Sequence, residues 1–97
     1  METRRGVIST DRPARYAKQL SEHWATTGSV TEEYGATVIR FNSGQVVVMR
    51  AQRGTLLIDA SVPNDEDPER LVQVVTDNLE RLGPREELDL VWESTAR

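Results

Sequence analysis

The chain has 97 residues, with 12 basic and 16 acidic side chains, one histidine and no cysteine. That length suits one hydrophobic core rather than two, and an apolar share of 37% beside a charged share of 29% marks a globular chain rather than a disordered one. Lack of Cys excludes disulfides and Cys-ligated metal sites, and a net charge of -4 with scattered arginines argues against nucleic acid, which requires clustered cations.

In chain order, Arg5 to Thr10 reads as a first strand. Thr10 and Asp11 then offer N-cap oxygens, Pro13 fits a first helical turn, and Ala14, Ala17, Leu20 and Trp24 recur at helical spacing. Gly28 is the expected helix stop. From there the apolar period changes to two, giving short strands over Val30 to Tyr34, Ala36 to Phe41, Gln45 to Ala51 and Thr55 to Ala60. Gly35, Asn42-Ser43-Gly44 and Arg53-Gly54 supply the turns between them.

Pro63 to Asp67 is a polar loop, after which Asp67 caps a second helix that Pro68 begins. Leu71, Val74, Val75, Asn78, Leu79 and Leu82 form one helical stripe, and Gly83-Pro84 ends it. Leu88, Leu90 and Trp92 alternate with Asp89 and Glu93 as a last strand. The expected architecture is α+β, a single domain over residues 1–97 in the order β-α-β-β-β-β-α-β, with a mostly antiparallel sheet.

One apolar stripe per helix predicts both helices on the same sheet face, over Ile39, Phe41, Leu56, Ile58, Leu88, Leu90 and Trp92. Alternation then assigns Val38, Val47, Met49, Leu57 and Val91 to the other face. An apolar face left open invites a partner, and a homodimer through it is expected. No segment approaches the roughly 18 apolar residues of a membrane span, and Met1 to Arg5 leads into no apolar run of signal-peptide length, so the expected location is the cytoplasm.

Three stretches together resemble a bacterial family, the domain of unknown function DUF2218. Thr10 to Trp24, with Tyr16, Lys18-Gln19-Leu20 and His23-Trp24, is similar to its opening segment. Phe41-Asn42-Ser43-Gly44 is similar to its glycine-punctuated strands, and Leu71 to Trp92, with Glu80-Arg81 and Arg85-Glu86-Glu87-Leu88, to its closing segment. Two positions depart from the pattern: Asn78 stands where the family usually has a second histidine, and Leu82 where it usually has Phe. The resemblance implies an iron-uptake setting, because such domains are associated with siderophore-interacting flavoproteins that reduce ferric siderophores, and it implies a reductase of that type as partner.

His23, the sole histidine, is the one side chain whose ordinary titration lies near neutrality. It sits at the edge of the first helix's apolar stripe, beside Trp24. A local Ser-His pair is excluded, since Ser21 and His23 are two residues apart and point to different sides of a helix. Ser9, Ser43, Ser61 and Ser94 sit in no nucleophile-elbow pattern, and no metal spacing, phosphate loop or dinucleotide fingerprint occurs. Asp65, Glu66, Asp67 and Glu69 complement the start of the second helix.

The reading favoured is a non-catalytic accessory or binding module, without catalytic residues, metal or cofactor. Its ligand-binding candidates are His23, Trp24, Asn78, Arg81, Arg85 and Glu86. The alternative is a small enzyme or metal-dependent protein that uses His23.

Overall fold

The computed structural model describes residues 2–82 and 89–93. Its elements are β1 (Glu2–Ser9), α1 (Pro13–Trp24), β2 (Gly28–Glu33), β3 (Ala36–Phe41), β4 (Val46–Gln52), β5 (Thr55–Val62), α2 (Pro68–Leu82) and β6 (Asp89–Glu93). The strands form one sheet in the order β2-β3-β4-β5-β1-β6, every neighbouring pair antiparallel. Both the α+β class and the element order are those expected from the periodicity.

The sheet is a meander from β2 to β5, closed on its far side by the two terminal strands. β1 pairs with both β5 and β6, so α2 carries the chain from β5 across β1 to the sheet's edge. Both helices lie over one face. Tyr16, Leu20 and Trp24 of α1 and Leu71, Val75 and Leu79 of α2 share a core with Ile8, Ile39, Val47, Met49, Leu56, Ile58, Ala60 and Val62. Trp92 closes this layer under α2, where its indole N–H donates to the Thr76 hydroxyl at 2.9 Å. At Gly6, opposite Trp92 in the β1–β6 register, an added Cβ would stand 3.1 Å from the ring, so a bare backbone lets the indole lie flat on the sheet.

Several local expectations need correction. Val47 and Met49 belong to the helix-covered face, since Val47 pairs with Ile39 and Ala60 and Met49 pairs with Ile58. Gly28 does not end α1; it opens β2, where a Cβ would meet the Arg40 carbonyl oxygen at 2.9 Å. The helix instead stops at Trp24, with Ala25 as its C-cap. Its N-cap is Arg12 with no side-chain cap, while the Thr10 hydroxyl accepts the Arg12 N–H at 3.2 Å. Tyr34 lies beyond its strand, in the β2–β3 turn. The Asp67 cap of α2 is as expected, its carboxylate accepting the Glu69 N–H at 3.0 Å. Gly83, Pro84 and Leu88 fall outside the described residues.

Candidate functional site

A half-open crevice of about 270 Å³ lies between α1 and the hairpin edge of the sheet. Ala14, Ala17 and Ser21 face it from α1, and Thr37, Met49 and Ala51 face it from β3 and β4. The space exists because, Met49 apart, these side chains are small at the point where larger residues would seal the helix to the strands. Lys18 and Glu32 stand on opposite walls and supply one charge of each sign. Glu32 is oriented by the Thr37 hydroxyl, which donates to its carboxylate at 2.7 Å.

Ser21 does not act as a nucleophile in this arrangement. Its hydroxyl proton is directed to the backbone carbonyls of Ala17 and Lys18, both at 2.9 Å, and no imidazole stands near to take it. His23 is exposed in the last turn of α1 and, two residues from Ser21, points away from the crevice. The residues lining the crevice can hold a polar group by charge and hydrogen bonds, but they do not pair a nucleophile with a base.

The other sequence candidates are dispersed. Trp24 is 4% exposed and meets the Phe41 ring edge-on with centroids 6.0 Å apart, so it is a core residue. Asn78, half-buried on α2, donates its amide to the Val74 carbonyl at 2.8 Å. Arg81 is exposed in the last turn of α2, and Arg85 and Glu86 lie outside the described residues. The helices run in opposite senses, which sets His23 level with the first turns of α2. Asn78 lies ten residues past Pro68, about 15 Å further along that axis. Among the described residues, no group of three His, Asp or Glu side chains is arranged to hold a metal.

Two surface features were not legible from the sequence. Tyr34 is 95% exposed and adopts φ 52°, the left-handed region that suits glycine. The Arg50 guanidinium donates to its carbonyl at 3.2 Å. On the open sheet face, charges occur in pairs: Arg5 grips Asp59 through two bonds of 2.8 and 3.0 Å, and Arg40 grips Glu33 at 2.7 and 3.2 Å. The Arg40 hydrogen bonds, helped by the Thr31 hydroxyl, hold the Glu33 carboxyl down at about 2. A second recess of about 390 Å³, lined by Gln45, Asp65, Glu66, Asp67 and Arg70, contains the α2 cap; there the Gln45 amide donates to Glu66 at 2.9 Å.

The family model described as "Uncharacterized protein conserved in bacteria (DUF2218)" matches residues 5–93, nearly the whole fold. This chain belongs to the DUF2218 family. The fold is also similar to the NMR structure of PA4090 from Pseudomonas aeruginosa, with a TM-score of 0.76 and 23% identity over 100% of each chain. At that identity the likeness concerns the fold alone. No curated protein matches the chain. Within this DUF2218 chain, no described helix is long and apolar enough to cross a membrane.

Proposed function

We propose that this DUF2218 chain is a non-catalytic binding module that takes a small ligand group in the crevice beside α1. The observation that carries the reading is the crevice itself: about 270 Å³, floored by small side chains, with Lys18 and Glu32 on facing walls. Pockets that enclose whole ligands begin at roughly 300 Å³. This one suits a single ring or one short arm of a larger molecule, oriented by an ammonium on one side and a carboxylate on the other. The backbone-bound Ser21 hydroxyl and the distant His23 favour binding over bond cleavage.

The iron and siderophore setting implied by the family resemblance supplies the context: a chelating arm of a siderophore is a ligand of suitable size, and a siderophore-reductase-type protein is the matching partner. A homodimer through the open sheet face is a further element of the proposal. Val91 is 57% exposed there, beside half-buried Val7 and Leu57, and these apolar side chains would be covered by a second copy. Sedimentation that stays monomeric at high micromolar concentration would remove that element.

Native mass spectrometry of protein purified from its own host tests the crevice. Wild type is expected to retain a small molecule that Ala51→Trp loses, because an indole on that exposed β4 position fills the space without entering the core. Equal retention by both proteins would place the ligand elsewhere.

A further inference from the structure

We propose that the end of the molecule around this crevice is a docking surface for an acidic segment of a partner protein, read by well-separated cations and by Tyr34. The proposal rests on the crevice as a binding surface and names the class of partner. Two hydrogen bonds define this end. Arg50 donates to the Tyr34 carbonyl, tying the β2–β3 turn to β4, and the Thr10 N–H donates to the Gly54 carbonyl at 3.1 Å, tying the start of α1 to the β4–β5 turn.

Arg12, Arg15, Lys18 and Arg53 are exposed here, Arg50 is exposed at the same end on the open face of the sheet, where it pairs with Leu57, and among the described residues none of them is in a salt bridge. Arg4, Arg5 and Arg40 elsewhere each hold a carboxylate. Near the crevice, Asp11, Glu22 and Glu32 are the described carboxylates without a cation, while Glu33 is taken by Arg40. A chain of net charge -4 thus presents five exposed cations, four of them on the crevice side, against three such carboxylates at one end, with Asp65, Glu66 and Asp67 beside Arg70, and Glu69 paired with Arg4, at the other. That polarity orients an acidic partner toward the crevice end and away from the start of α2.

Spacing selects the kind of anion. Arg12 to Lys18 covers about 9 Å of helix, and Arg53 belongs to a different element, so one small anion cannot bridge them. An extended peptide advances roughly 3.3 Å per residue and brings successive carboxylates to successive cations. Asp11 and Glu32, interspersed among the cations, oppose a continuous phosphate chain but can accept N–H groups from a peptide backbone. Tyr34 adds an aromatic anchor. Its ring makes no ring contact among the described residues, and its left-handed backbone is a strain that a glycine would avoid. A nearly fully exposed tyrosine held in that conformation beside unpaired cations matches the aromatic and cationic character of interface hot spots.

The test uses the full chain with a fluorescein-labelled peptide of alternating glutamate and alanine, its lysine counterpart, and phosphatidylglycerol vesicles. The acidic peptide is expected to bind with salt-sensitive affinity and to shift amide signals at 11–18, 32–37 and 50–54. The double change Arg15→Glu, Lys18→Glu should weaken it about tenfold or more. Tyr34→Gly should weaken it about fivefold while raising the Tm, because glycine adopts this backbone without strain. Equal binding of the lysine peptide, stronger binding to vesicles, or unchanged affinity in either variant would overturn the proposal. Ala51→Trp separates the two readings. Peptide binding that survives it but is lost on charge reversal keeps the docking surface and removes the crevice; binding lost in Ala51→Trp yet unchanged on charge reversal overturns the docking surface and leaves the crevice.

Discussion

The two faces of the sheet carry similar aliphatic alternation and have opposite fates. On the covered face Ile8, Ile39, Val47, Leu56, Ile58 and Val62 are fully enclosed. On the open face Val38 is buried beside Val48, but Val7, Val46, Val48 and Leu57 are only half-buried among the Arg5–Asp59 and Arg40–Glu33 pairs, and Val91 stands largely in solvent. Strand hydrophobicity by itself therefore does not mark the core. What separates the faces is the pair of helices, which remove one face from water and leave the other to be shielded by its own long charged side chains.

The largest effect expected from this contrast concerns truncation on either side of one strand. Ile58→Ala should cost about 3 kcal/mol through lost burial and a residual cavity. Leu57→Ala, its neighbour on the open face, should cost only about 1 kcal/mol because part of its surface already meets water and no helix packs over it. Urea unfolding of both variants checks this. Equal losses would mean that the open face is covered in solution, as a second copy of the chain would cover it.

A smaller effect concerns the open-face ions. Glu33 is ionised more readily in the fold than in the unfolded chain, so its contribution is complete above the usual carboxylate range and is lost as the pH falls toward about 2. Arg40→Ala removes the first cause of that shift and should raise the Glu33 carboxyl toward the ordinary carboxylate range, so that most of this pH-dependent contribution disappears. Carboxyl NMR titration follows it directly; a Glu33 titration unchanged by Arg40→Ala would show that the pair does not persist in solution.

The smallest effect belongs to the residue that sequence chemistry made most conspicuous. His23 is exposed, and its ring has no hydrogen bond among the described residues, so His23→Ala should change stability by about 0.5 kcal/mol or less. It should also leave divalent-metal binding as it is in the wild type. Calorimetric titration of both proteins with Zn²⁺ and Fe²⁺ decides this, and submicromolar binding that disappears in the variant would restore the metal-dependent reading.

The site was far less legible than the fold. His23, Trp24, Asn78 and Arg81 were singled out by residue type and family pattern, yet they are divided among the core, a helix-backbone hydrogen bond and two exposed positions. The residues that line the crevice, such as Ala14, Ala17 and Thr37, are chemically plain and acquire meaning only through what they leave empty. Tyr34 carried a weak signal, since the following Gly35 marks a turn, but a tyrosine ahead of it reads more naturally as the end of a strand.

By itself, the sequence determined the element order, the two helical stripes and the positions of the turns, because periodicity and turn chemistry are local properties of the backbone. The helix-covered side of Ile39, Leu56 and Ile58 followed from the same pattern. The side taken by Val47 and Met49 was decided only by tertiary pairing. Three residues between Phe41 and Gln45 keep odd positions of β3 and β4 on one face, whereas the two-residue Arg53-Gly54 turn sets odd positions of β4 beside even positions of β5. Tertiary structure also decided the crevice and the cationic end. Both arise where α1 is laid beside two hairpin tips distant in sequence, and no local pattern records which small or charged side chains such packing brings together.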